Sequence, residues 1–164
     1  MVSPRQPTVK SLRYAYALLC GLGVVGLISP AVGQSAANFG SATLRNGSVA
    51  RPLQGHTQGT TPLSTIARQD AQGNHCIGYG ESEPDHILIL PQALSRITLS
   101  VNSGGQDTTL LVRGGGQVFC ADDSNNADAR LQAQNWGPGE YQVWVGSFDP
   151  GVRYDYQLGV QGSP

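Results

Sequence analysis

Basic residues are scarce in this sequence, which has a single lysine, Lys10, and ten basic residues against eleven acidic ones. Three of the basic residues lie within the first 33 positions, so the remainder has seven arginines, no lysine and a net charge of −4. A protein without a basic excess lacks the electrostatic footprint of non-specific nucleic-acid binding. We therefore predict that the protein binds no nucleic acid.

The sequence also lacks the motifs of common catalytic sites. No serine lies in a G-x-S-x-G elbow and no H-E-x-x-H helix is present. The run 114–116 is all glycine, but no lysine follows it as a phosphate loop requires. We expect the three histidines, His56, His75 and His86, at the surface or at strand edges. The prediction is a non-catalytic protein, although a glycosidase-type pair of carboxylates stays open as an alternative.

Long apolar runs are absent except near the N-terminus. The run Tyr14 to Ile28 follows basic residues and precedes the small residues Ala31-Val32-Gly33, the order typical of a secretory signal peptide. At about 15 residues the run is shorter than the roughly 20 that span a bilayer as a helix. We predict a cleaved signal peptide over residues 1–33, export to the periplasm or beyond, and no membrane span in the product.

Cysteine is equally rare, with three residues in the chain. Cys20 lies in the predicted signal peptide, which leaves Cys76 and Cys120 in an exported protein. Disulfides persist outside the cytoplasm, so we predict one bridge between these two residues; two buried free thiols are the alternative. The bridge would close a loop of about 45 residues and contribute roughly 4 kcal/mol to stability.

No stretch after residue 34 has a helical period with a cap. Residues 34–75, rich in glycine, serine and threonine, predict an N-terminal arm with candidate edge strands at 39–44 and 53–57. From residue 86, apolar residues alternate at a period of two between glycine- and proline-rich turns. The predicted strands are 86–90, 95–103, 108–113, 117–120, 140–146 and 153–160. The glycine turns at 103–105 and 114–116 predict hairpins, and the whole predicts an all-β antiparallel sandwich or jelly roll over 76–164.

The stretch 119–130 contains three aspartates and two asparagines. Calcium prefers several oxygen ligands of this kind, although alanine stands at 127 and 133, where an EF-hand needs glycine and glutamate. Aspartate and asparagine also cap turns, so a structural loop is the competing interpretation. The hairpin of 108–120 would bring Asp107 close to this loop. The predicted calcium ligands are Asp107, Asp122, Asp123, Asn125 and Asp128.

Aromatic residues make up only 7% of the chain. Exposed aromatic rings on a β-sandwich can stack on carbohydrate, which makes Trp136 and Trp144 candidate ligand-binding residues. Trp144 alternates with Tyr141, Val143 and Val145, so it faces away from them. Packing of the two indoles against the sandwich is the alternative interpretation.

Five short motifs occur in a suggestive order: residues 76–79 (CIGY), 84–86 (PDH), 107–110 (DTTL), 120–125 (CADDSN) and 139–146 (GEYQVWVG). Together they resemble the bacterial pre-peptidase C-terminal domain, a β-sandwich module of secreted proteases and of exported proteins without a protease. In that family an aspartate opens the strand matched here by Asp107 to Val112, and a G-x-Y-x-V strand is matched by Gly139 to Val143. The resemblance covers about residues 76–160.

The chain has no room for a peptidase beside such a domain. The resemblance therefore implies a stand-alone exported module that binds an unknown protein or polysaccharide outside the cytoplasm. A calcium-dependent carbohydrate-binding module is the second hypothesis, and a small secreted hydrolase is the third. The family has no single shared ligand, so its name alone leaves the partner undefined.

Overall fold

A computed structural model describes residues 36–45, 48, 51–123 and 126–164, all within one compact unit. The predicted signal peptide, residues 1–33, and the predicted ligand Asn125 lie outside the described residues. In the described ranges no helix is long and apolar enough to cross a membrane. The helical structure there is a single 3-10 turn, Leu63–Thr65.

Eleven β-strands in the described residues form two sheets that pack as a sandwich, which confirms the predicted fold class. The strands are β1 (Ser41–Thr43), β2 (Leu53–His56), β3 (Thr61–Pro62), β4 (Tyr79–Gly80), β5 (His86–Leu90), β6 (Leu94–Asn102), β7 (Thr108–Gly114), β8 (Gln117–Ala121), β9 (Arg130–Trp136), β10 (Gly139–Ser147) and β11 (Asp155–Ser163).

Strand β10 is the centre of the large sheet, which has seven strands. The hairpin β7–β8 pairs with one edge of β10; β5 and β4 pair with successive parts of the other edge, and they continue to β1 and β3. The small sheet has the order β2-β11-β6-β9. All pairings between these strands are antiparallel except β1 with β5. The segment 34–75, predicted as an arm, therefore supplies strands to both sheets.

The β7–β8 hairpin confirms the turn predicted at 114–116. Gly115 and Gly116 have φ values of 57° and 75°, the left-handed pair that a two-residue hairpin loop requires. A Cβ on Gly115 would lie 2.7 Å from the Tyr141 hydroxyl oxygen, so glycine is required there for space as well. The hairpin places the start of β7 beside the end of β8.

The turn at 103–105 is not a hairpin, and that prediction was wrong. Strand β6 belongs to the small sheet and β7 to the large one, so residues 103–107 carry the chain across the sandwich. Glycine in a turn shows that the chain changes direction but does not show which sheet the next strand joins. Strand β9 was also not predicted, because its sequence RLQAQNW buries only Leu131 and Trp136 and has little apolar alternation.

The main core lies between the sheets. Inward residues of β6 and β11 alternate with exposed ones, for example Leu99 and Leu158, both fully buried. A second apolar cluster covers the outer face of the large sheet and consists of Leu63, Cys76, Leu111, Cys120 and Trp144. Segment 57–78 thus packs over the large sheet, and the Cys76–Cys120 disulfide joins it to β8, as predicted.

Candidate metal centre

Three of the predicted calcium ligands come together at one end of the large sheet. Asp107 immediately precedes β7, and Asp122 and Asp123 immediately follow β8. Because β7 and β8 are antiparallel neighbours, with Leu110 opposite Ala121, these positions lie side by side. One carboxylate oxygen from each aspartate lies within 4.8 Å of the other two. We call this group the acidic cluster.

The acidic cluster has an excess of negative charge. Burial raises the pKa of Asp107 and of Asp122, and the neighbouring Asp123 carboxylate raises both further. Within the described ranges the salt bridge is Arg153–Asp155, so no described arginine forms a salt bridge with the cluster, although Arg130 lines the same cavity as Asp122 and Asp123. The Oδ1 atom of Asp122 is buried and has no hydrogen-bond partner. A cation bound here would offset the repulsion between the three carboxylates. It would also give the unpaired Oδ1 atom of Asp122 a partner.

Asp128 lies outside the acidic cluster and serves a different loop. It accepts hydrogen bonds from the Ser103 N–H at 2.8 Å, the Gly105 N–H at 3.2 Å and the Asn126 side-chain amide at 3.1 Å, as well as from the Ser103 hydroxyl. Burial raises the pKa of Asp128, but these hydrogen bonds outweigh it and lower the pKa below its usual range. Its carboxylate thus fixes the start of segment 103–107, which carries the chain from the small sheet to the large one.

Both tryptophans are buried, so neither offers a ring face to a ligand, and the stacking role expected for them is corrected. Trp136 is 1% exposed and stacks on Phe119 with ring centroids 4.4 Å apart. Trp144 is 2% exposed, lies in the outer cluster of the large sheet and is covered by the Arg113 guanidinium, 5.5 Å from its ring centroid. The indoles fill the two layers of packing on either side of the large sheet.

His86 is the first residue of β5, a strand-end position as expected, but it is buried and does not lie at the surface. Its Nε2 is hydrogen-bonded to the Tyr156 hydroxyl at 3.0 Å, and its Nδ1 has no hydrogen-bond partner. The period of two could have revealed this position, because His86 is in phase with Leu88 and Leu90, which face the main core. Both members of this imidazole–hydroxyl pair are at most 3% exposed.

Asp70 is a second anchoring carboxylate that the sequence analysis did not single out. It accepts hydrogen bonds from the backbone N–H groups of Gln72, Asn74 and Cys120, at 2.9, 2.8 and 3.3 Å. Burial raises its pKa, but these bonds and one from the Asn74 side chain lower it overall. The signal was present as D-x-x-G-N, a turn in which aspartate accepts from the residue two positions on.

One solved structure similar to this chain is the 1.0 Å crystal structure of the pre-peptidase C-terminal domain of a collagenase from Bacillus anthracis. The two chains share 17% sequence identity, and the similarity covers 79% of this chain and 98% of the other, with a TM-score of 0.44. No protein-family model matches the sequence. No curated protein matches it either.

Proposed function

We propose that the protein is an exported, non-catalytic accessory module of the pre-peptidase C-terminal type, which binds a protein or polysaccharide outside the cytoplasm and is stabilised by calcium. The observation that carries this proposal is the convergence of Asp107, Asp122 and Asp123, none of which forms a salt bridge with a described arginine. The Cys76–Cys120 disulfide supports an oxidising compartment. The burial of the His86–Tyr156 pair favours a structural role for that histidine over a catalytic one.

Calcium fits the chemistry of the acidic cluster. It takes hard oxygen ligands, accepts carboxylates in one- or two-oxygen coordination and tolerates varied geometry. The three aspartates would hold the ion, and its charge would offset their mutual repulsion. Because they flank the open end of the β7–β8 hairpin, calcium would stabilise the link between this hairpin and the start of β9.

Thermal and urea unfolding of the exported protein, with calcium and with a chelator, test the proposal. Calcium should raise the free energy of unfolding, by about 2.7 kcal/mol when its concentration is 100 times the dissociation constant. Without calcium, the raised pKa values of Asp107 and Asp122 favour the protonated folded state. The contribution of these two carboxyl groups to the free energy of unfolding is therefore present at acidic pH and is lost as the pH rises through their folded-state pKa values. Calcium should restore stability at neutral pH.

Asp122→Asn separates the cluster from a general salt effect. The substitution removes a charge at nearly constant size, so the calcium-free variant should be at least as stable as the wild type, and its calcium-induced shift should be lost. Asp155→Asn is the matched control, because Asp155 is exposed and belongs to the surface pair with Arg153. Unfolding of the wild type that is indifferent to calcium and to chelator would contradict the proposal.

A further inference from the structure

Charge is unevenly distributed between the two sheets. The four strands of the small sheet contain one acidic residue, Asp155, and it is paired with Arg153. Every other acidic residue of the chain lies outside those strands. Three exposed arginines belong to the outer side of the small sheet: Arg96 on β6, Arg130 on β9, and Arg51, which precedes β2. Although the whole chain has a net charge of −1, this side of the small sheet is therefore basic.

The strand register places these positive charges at two levels along the sheet. Arg130 lies opposite Ser100 on β6, and Arg96 lies opposite Gln134 on β9. Arg96 and Ser100 are four residues apart, so at about 3.3 Å per residue the two levels are about 13 Å apart. The row between the two levels consists of uncharged hydroxyl and carboxamide side chains: Gln161, Thr98 and Gln132. We call the surface of the three arginines and this row the basic face.

An open concavity of about 360 Å³ lies at the Arg130 level of the basic face. Arg51 and Arg130 both line it, with Thr98 and Ser100 beside them. Gly159 leaves its floor low, since a Cβ there would meet only the Ser100 carbonyl oxygen, at 3.8 Å. No described residue of the lining is acidic, and the sequence contains no acidic residue before position 70. The concavity therefore has two positive charges and no described negative one.

The two arginines of the concavity are accessible to a ligand. Both side chains are exposed, and among the described residues neither forms a salt bridge. Arg130 also lines the cavity that contains Asp122 and Asp123, without forming a salt bridge to either of them. The planar guanidinium of arginine can donate two parallel hydrogen bonds to one anionic group, such as a carboxylate. The concavity thus fits an acidic group of a ligand.

The arrangement of the basic face selects the class of ligand. One small anion cannot contact both levels, which are about 13 Å apart, so a polymer with repeated negative charge fits better. The hydroxyls and carboxamides between the levels donate and accept hydrogen bonds, as sugar hydroxyls do. Nucleic-acid bases would require aromatic rings to stack on, and the row between the arginines has none. The exposed large apolar residues among those described, Ile77 and Phe148, lie outside the small sheet and offer no anchor for a protein here.

We propose that the basic face binds an anionic polysaccharide, with one acidic group in the concavity lined by Arg51 and Arg130 and another at Arg96. This inference rests on the proposed function as an exported binding module and names the class of its ligand. It places the ligand on a different sheet from the acidic cluster, so binding requires no calcium. Binding weakens as the salt concentration rises, because salt screens the charges of exposed arginines.

Equilibrium binding of the exported protein to immobilised polysaccharides, in chelator, tests the inference. Alginate supplies carboxylates, dextran sulfate supplies sulfates, and neutral dextran is the control polymer. The wild type should bind at least one of the two anionic polymers, should not bind dextran, and should be released at high salt. Which polymer it binds shows whether the concavity prefers carboxylate or sulfate.

Arg51→Gln combined with Arg130→Gln should weaken the binding at least tenfold, because two side chains that donate charge-assisted hydrogen bonds are removed. Arg68→Gln combined with Arg113→Gln is the matched control. It changes the net charge equally at two exposed arginines outside the small sheet, and it should leave the binding unchanged. Thermal unfolding of both double variants shows whether either is misfolded. If the first is, Arg51→Gln alone replaces it, since that position lies outside the strands.

Failure of the wild type to bind either anionic polymer would overturn the inference, as would an equal loss of binding in the two double variants. Duplex DNA that binds as tightly as the polysaccharides would show recognition of charge alone, which also overturns it. Binding that needs calcium and is lost in Asp122→Asn would assign the ligand to the acidic cluster. That result would overturn the inference and support the calcium proposal, whose own test, the calcium-induced shift in unfolding, is independent of this one.

Discussion

Adjacent residues Asp85 and His86 are both buried, and burial moves their pKa values in opposite directions. It raises the pKa of Asp85 to about 7, although hydrogen bonds from the Val145 N–H and the Asn38 side chain oppose the shift. It lowers the pKa of His86 to about 4. His86 therefore stabilises the fold above pH 6.5, and this contribution is lost as the pH falls to about 4. Asp85 has the opposite effect: it stabilises the fold below pH 4, and its contribution is lost as the pH rises to about 7.

Asp85→Asn should expose the histidine contribution. In the wild type the two effects oppose each other between pH 4 and 6.5, so this pair changes the free energy of unfolding little over that interval. In the variant the Asp85 effect is gone, so relative to the wild type its free energy of unfolding should fall by about 3 kcal/mol more as the pH drops from 6.5 to 4. Urea unfolding at a series of pH values measures this. The same profile in the variant as in the wild type, with Asp155→Asn as control, would contradict the assignment.

At the scale of elements, the crossing from β6 to β7 depends on Asp128. Its carboxylate accepts bonds from the backbone N–H groups of Ser103 and Gly105, which lie in the turn that leaves the small sheet. The turn ends at Asp107, so the position of one member of the acidic cluster depends on a residue outside that cluster. Asp128 therefore helps to position the acidic cluster through the backbone.

Asp128→Ala should destabilise the fold by about 2–3 kcal/mol, because two backbone N–H groups lose a charged acceptor. Asp128→Asn, which keeps one acceptor oxygen, should cost less. Both variants should keep a calcium-induced shift in unfolding, in contrast to Asp122→Asn. If Asp128→Asn folds normally but no longer responds to calcium, Asp128 is itself a ligand.

Across the whole molecule, the disulfide fixes a covering layer to the sandwich. Cys76 and Cys120 are 44 positions apart in sequence, and with Leu63, Leu111 and Trp144 they form the apolar cluster outside the large sheet. Without the bridge, segment 57–78 would hold its position through those contacts and through the Asp70 hydrogen bond to the Cys120 N–H. The bridge thus stabilises the covering layer more directly than the main core.

Cys76→Ser combined with Cys120→Ser should reduce the free energy of unfolding by about 4 kcal/mol, the chain-entropy value for a loop of this length. The fluorescence of Trp144, which packs against the bridge, should change in parallel. Urea unfolding measures the first effect, and reduced wild type is the control. Intact mass before and after alkylation checks the bridge itself: two free thiols in the exported protein would contradict it.

The sequence determined most of the strands, because an alternation of apolar and polar residues within one strand is a local property. Strands β5, β7, β8 and β10 agree with their predictions to within one or two residues at each end. The meeting of Asp107 with Asp122 and Asp123 was also predictable, since a short hairpin fixes which chain ends are neighbours. Strand β9 was not predicted from the sequence, because most of its side chains are polar and face solvent.

Only the tertiary structure decided how these local elements combine. In the folded protein β6 and β7 belong to different sheets, Asp128 lies outside the acidic cluster, and both tryptophans are buried. Strand pairing also aligns Gln54, Gln157 and Asn102, whose strands β2, β11 and β6 are far apart in sequence. The physical reason is that strand pairing and register are set by the burial of whole faces against each other, and this depends on contacts between distant parts of the chain.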